Sequence, residues 1–118
     1  MKTIIRRIDS LNIDITFNIG QNAQDNFDLI DMSHPDDIWF HVDGKSSAHV
    51  VASLPKDHTF DKKHLHKIIV QGACVCKEFS RYASKQKVPI NYAKISQLTK
   101  SADVIGSVIV CNDKTIEI

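Results

Sequence analysis

No unbroken apolar run in the 118 residues exceeds five, far short of the roughly 18–20 that cross a bilayer, so membrane insertion is not expected. The first twenty residues carry Lys2, Arg6, Arg7, Asp9 and Asp14 without an apolar stretch, which speaks against a secretory leader. Four glycines and three prolines leave no place for a flexible linker, and no glycine-rich phosphate loop precedes a helix. Three cysteines, Cys74, Cys76 and Cys111, are an odd number, which argues against a disulfide framework and for a reducing, cytoplasmic setting. Fifteen Lys/Arg against fourteen Asp/Glu exclude a globally basic chain. Nothing in the sequence supplies a cofactor motif.

What is present is an ordinary globular mix, 42% apolar and 25% charged, expected to fold as one domain over residues 1–118. The charge is unevenly placed. Residues 1–59 hold five basic and nine acidic side chains, whereas residues 60–118 hold ten and five, which hints at one positive surface.

Periodicity organises the chain. Ile13, Ile15, Phe17 and Ile19 alternate with polar residues and predict a half-buried strand ended by Gly20. Residues 21–26 read as a polar turn and 27–32 as a short strand. Residues 38–43 and 48–54 read as a hairpin around 44–47. A one-residue slip would turn one apolar set to water, so Phe40 must share a face with Val50. The opposite face then collects Trp39, His41, Asp43, Ser47 and His49, with His41 close to His49. Residues 61–86 predict one long amphipathic helix. On a wheel of about 100° per residue, Leu65, Ile68, Ile69, Gly72, Cys76, Phe79 and Ala83 form the buried stripe. Lys63, Lys67, Lys77, Arg81 and Lys85 form the outer face, and Gly72 would let the helix approach a sheet closely. Residues 88–94 predict a strand, and residues 106–111 and 115–118 a further hairpin. The expected class is α+β, an antiparallel or mixed sheet packed on one long helix.

The chemistry that these residues could carry is limited. Cys74 and Cys76 lie about 200° apart on a helix and cannot share one tetrahedral ion, and His41, His49 and Asp43 lack a clear fourth ligand, so no metal is expected. Cys74 lies among lysines that could lower its pKa. Ser, His and Asp occur without a nucleophile elbow or oxyanion motif. Nucleic-acid binding fits better. Aromatic and imidazole rings stack on unpaired bases and lysines meet phosphates. The plain alternative is that Trp39 fills a secondary core and the histidines are satisfied by neighbouring groups.

The run Asp37-Ile38-Trp39-Phe40-His41-Val42, followed by Ser46-Ser47-Ala48-His49-Val50, resembles the RNA-binding domain of the NFACT family. Gly20, Asn22, Asn26, Asp28 and Leu29 fit that family's glycine-led turn, and Tyr92, Leu98, Lys100 and Gly106 fit its closing strands. The Ser-Ser-Ala-His version is similar to the standalone coiled-coil-domain-containing branch, read here without the coiled coil. Many relatives carry a basic residue where this chain has Gln21, and several where it has Ser53, which implies weaker phosphate contact on that side.

The resemblance implies a non-catalytic module that binds RNA, tRNA or ribosomal RNA, in translation or ribosome quality control, with DNA as an alternative ligand. Ribosome-associated factors are the implied partners. Trp39, His41 and His49 would contact bases or sugars, and Asn22 and Asn26 would hold the turn or donate to RNA. Lys45, Lys94 and Lys100 would meet phosphates, with Asp43, Ser46, Ser47 and Tyr92 completing the surface. The two histidines would make binding pH-sensitive near 6.5. A protein-interaction adaptor, or a small His- or metal-dependent enzyme acting on nucleotides or RNA, are the rival readings.

Overall fold

The computed structural model describes all 118 residues as eight strands and two α-helices. Strands β1 (Lys2–Ile8), β2 (Ile13–Ile19), β3 (Ile38–Val42), β4 (Val50–Ser53), β5 (Pro89–Lys94) and β8 (Lys114–Glu117) form one antiparallel sheet in the order β1-β2-β4-β3-β5-β8. Strands β6 (Leu98–Lys100) and β7 (Val108–Val110) form a separate antiparallel pair. Helix α1 (Ala23–Met32) follows β2, and helix α2 (Lys62–Glu78) connects β4 to β5.

The period-two segments form the strands that they predict. Phe40 pairs with Val50 and Trp39 with Val51, the register that keeps both apolar sets on one face. Phe17, Ile19, Phe40, Val50 and Ile90 then meet Ile68, Ile69, Ala73 and Cys76 of α2 in a cluster of 16 buried residues. Gly72 sits directly over the Phe40 ring. A Cβ there would fall far inside van der Waals contact, so the glycine sets how closely helix and sheet approach.

The other sheet face has its own core. Trp39, Val51 and Ala93 are covered by Leu29 of α1 and by Ile95, with Leu98, Val108 and Val110 packed against them. The sheet is therefore clad on both faces. Asp37 stitches this region together. Its buried carboxylate accepts the His34 and Leu54 N–H groups, both at 2.9 Å, and its carbonyl accepts the Ile95 N–H at 2.9 Å.

Three expectations are corrected, and one strand is added. Residues 21–32 are not turn and strand but helix α1. The Asn22 side chain accepts the Asp25 N–H at 2.8 Å, and Asp25 accepts the Gln21 N–H at 3.0 Å, so two polar side chains nucleate a helix that buries only Leu29 fully. The long helix expected over residues 61–86 is shorter, because α2 stops at Glu78. Ser80 Oγ donates to the Lys77 carbonyl at 2.7 Å and accepts the Tyr82 N–H at 3.1 Å, which diverts the backbone into a turn. Phe79 therefore caps α2 at 37% exposure, and Ala83 lies exposed beyond it. The C-terminal strands are not a hairpin. Gln97 accepts the Cys111 N–H through its carbonyl at 2.9 Å and donates its amide to the Cys111 carbonyl at 3.0 Å, so β7 stays with β6 while β8 crosses to β5. Strand β1 was not anticipated, because adjacent Ile4-Ile5 and Arg6-Arg7 break the alternation. No helix is long and apolar enough to cross a membrane.

Candidate nucleic-acid interface

At the end of the sheet where β2 ends and β4 begins lies a cleft of about 660 Å³. Asn22 and Asn26 come from the start of α1, His41 from β3, and Ser46, Ser47 and His49 from the segment that joins β3 to β4. Lys2, Gly20, Phe79 and Ile105 complete the wall, and no carboxylate lines it.

The floor is an aromatic triad. Trp39 and His41 stack with ring centroids 5.8 Å apart and planes within 4°. His49 meets both edge-on, at 5.4 Å from Trp39 and 4.9 Å from His41. The indole Nε1–H donates to His49 Nδ1 at 3.2 Å. An indole N–H only donates, so Nδ1 must be the unprotonated nitrogen and His49 carries its proton on Nε2. Burial, aided by the nearby His41, pushes the His49 pKa down to about 3. His41 is lowered as well, mainly by burial and against the opposing pull of the Val42 backbone and Asp43. Both shifts run below the ordinary 6.5, so His49 stays a neutral imidazole donor at neutral pH.

The remaining walls are polar as well. Asn26 turns its Oδ1 inward against Gly20, where the atom is buried without a partner, and a Cβ on residue 20 would collide with it. Gly20 is glycine because the asparagine needs that space. Lys2 reaches the cleft from the edge strand, its Nζ 4.7 Å from the Phe79 ring centroid.

The other sequence-derived residues fall elsewhere. Trp39 is 3% exposed, so it supports the cleft from beneath instead of presenting a stacking face. Asp43 is turned to β5, accepting from Asn91 Nδ2 at 3.0 Å, and Lys45 stands exposed on the loop outside the cleft wall. Tyr92 and Lys94 line a different groove. Lys100 is held by Asp31 and lies over the Phe27 ring, so its charge is already matched. Lys2, Phe79 and Ile105 were not foreseen. No local pattern marks them, because distant elements carry them to the cleft.

No cluster of three or more His, Cys, Asp or Glu side chains is arranged to hold a metal. The Cys74 thiol is raised, not lowered, first by burial and then by Glu78, which outweigh Lys77 and Arg6. Cys76 is buried in the core and pushed up to about 12.

A two-faced antiparallel sheet with a histidine-lined cleft under an Asp-Ile-Trp-Phe-His strand defines a compact α+β binding domain. The chain belongs to the family of NFACT protein RNA binding domains, whose model matches residues 9–111. It is 35% identical over 104 residues to coiled-coil domain-containing protein 25 of Danio rerio, covering 87% of this chain and 50% of that protein. It is 32% identical over 102 residues to the Dictyostelium discoideum homologue, covering 84% and 48%. The chain thus spans about half the length of the curated relatives it matches. The C-terminal part of the fibronectin/fibrinogen-binding protein from Streptococcus suis superposes with a TM-score of 0.73 at 21% identity, over 88% of this chain and 40% of that one, a likeness of fold alone.

Proposed function

We propose that residues 1–118 act as one non-catalytic module that binds RNA through the His41–His49 cleft. The observation that carries this reading is the lining of the cleft: His49 Nε2–H with its tautomer fixed by Trp39, beside Asn22, Asn26, Ser46 and Lys2, and no carboxylate. Such a wall accepts phosphate or sugar oxygens and base acceptors without the repulsion that an acidic lining would add. The half-buried His41 ring adds a flat surface for an unpaired base. The family description supports RNA as the ligand class. The proposal extends to tRNA or ribosomal RNA as the ligand, and to a cytoplasmic role in translation or ribosome quality control with ribosome-associated partners.

The adaptor reading rests on a different observation. Val104 and Ile105, at 59% and 64% exposure, form an apolar loop beside the cleft, a feature suited to a protein contact.

Fluorescence anisotropy with tRNA, single-stranded RNA, single-stranded DNA and duplex DNA, at low and near-physiological salt, tests the proposal. Wild type should bind RNA with an affinity that falls with salt. The double change His41→Ala, His49→Ala should abolish binding, and the surface pair Lys2→Ala, Ser46→Ala should weaken it without unfolding the protein. A folded wild type that binds no RNA rules the proposal out and favours the adaptor.

A further inference from the structure

A second groove, of about 530 Å³, opens at the opposite end of β3 and on the opposite face of the sheet. Its floor is apolar, made by Ile38, Leu65 and Ile69. Its rim carries three lysines, Lys62 from α2, Lys94 from β5 and Lys114 from β8, with His66 of α2 beside them. None of its lining residues is acidic. Tyr92 and Lys94 share the α2 face of β5, and Lys114 lies directly across from Tyr92, so the three stand together at the edge of the sheet.

The charges here are unmatched. Lys62 and Lys114 have no acidic partner, and Lys94 has only a long contact of 3.9 Å with Asp36 between two exposed side chains. Three cations outside the groove are paired, Arg6 with Glu78, Arg7 with Asp14 and Lys100 with Asp31. The first turn of α2 holds no acidic residue, and Lys62 and Lys63 occupy the helix end where the macrodipole disfavours cations. Asp61 caps this helix end by accepting the His64 N–H at 2.8 Å, and Lys62 beyond it adds positive potential to the groove.

We infer that this groove is a second binding site, for the phosphodiester backbone of single-stranded nucleic acid, separate from the cleft on the far face. The inference rests on the RNA reading above and adds a division of labour. The first cleft offers directional polar groups and the single ammonium of Lys2 to one nucleotide. The second offers unpaired ammonium groups to phosphates and the Tyr92 ring to a base, a form of contact that tolerates any sequence.

The test uses the full chain, a fluorescein-labelled 20-nucleotide poly(U) RNA, and the exposed pair Lys62→Glu, Lys114→Glu. This variant should bind at least about tenfold more weakly at low salt, and the slope of log K against log salt should fall by about 1.4, some 0.7 per lost lysine contact. Lys2→Ala, Ser46→Ala should weaken binding while losing no more than one such contact from the slope. In backbone amide spectra, poly(U) should shift Lys62, His66, Lys94 and Lys114 as well as His41 and His49. If wild type binds poly(U) while the charge-reversed pair keeps its affinity and slope, and shifts stay confined to the first cleft, the second site is refuted and the RNA reading stands. If wild type binds no RNA, both fall. A poly-glutamate peptide that binds the groove as tightly as poly(U) would overturn the nucleic-acid assignment in favour of an acidic protein partner.

Discussion

Acidification should destabilise this protein well before its carboxylates titrate, and His49 is the main reason. In the unfolded chain His49 has an ordinary pKa near 6.5, whereas in the fold it is held down to about 3. Between those values the unfolded state binds a proton that the folded state refuses, so stability falls as pH falls, by about 1.4 kcal/mol per pH unit at full effect. Above 6.5 both states are neutral and the contribution vanishes. From pH 7 to pH 5 the expected loss is about 2 kcal/mol, a sizeable part of the roughly 5–15 kcal/mol that holds a typical domain together. His41, also lowered, adds loss of the same sign. Asp25 is held down by the Gln21 N–H and then the Met1 amino group, so its contribution is present at neutral pH and lost only below its ordinary 3.8, outside this window. Urea denaturation at pH 7 and pH 5 measures the difference, with His49→Gln as the control, since its amide oxygen can still accept the Trp39 proton. The wild type should lose about 2 kcal/mol more than the variant between the two pH values. Equal losses in the two proteins, or a His49 ring proton that titrates near 6.5 in the folded state, would refute the argument.

Further consequences concern the supports of the cleft. Trp39→Phe removes the donor to His49 Nδ1 and leaves a buried acceptor without a partner, at a cost of about 1–3 kcal/mol by thermal or chemical denaturation. Nitrogen spectra of the histidine rings should show the Nε2–H form of His49 in wild type, and an Nδ1–H form there would overturn the geometry. Asp37→Ala strands two backbone N–H groups and should lower stability by roughly 2–3 kcal/mol, with Asp37→Asn losing less because one acceptor survives. Gly72→Ala should destabilise by about 1–3 kcal/mol despite alanine's better helix propensity, because the Phe40 ring must move; an unchanged or higher midpoint would show that α2 can lift off the sheet freely.

The sequence by itself determined the features that depend on local period. Alternation over Ile13–Ile19 and Ile38–Val42 produced strands at those positions, and the requirement to keep both apolar sets on one side set the Phe40–Val50 register. That register alone brings His41 within ring contact of His49. The buried stripe of α2, Gly72 included, followed from the 3.6-residue period.

Only the tertiary structure decided the rest, because a period says which residues share a face and not what covers it. Trp39 shares its sheet face with His41, but α1 and the β6–β7 pair close over it, so the ring predicted to stack on a base instead fixes a tautomer. Helix α1 and the early end of α2 each turn on side-chain hydrogen bonds of Asn22, Asp25 and Ser80, which leave no hydrophobic period to read. Tyr92 and Lys94 left the predicted surface because strand alternation puts them opposite Phe40 and Ile38, on the α2 face. Lys2 entered the first cleft, and Lys62 and Lys114 the second, through contacts between elements far apart in the chain, where neither composition nor spacing carries a signal.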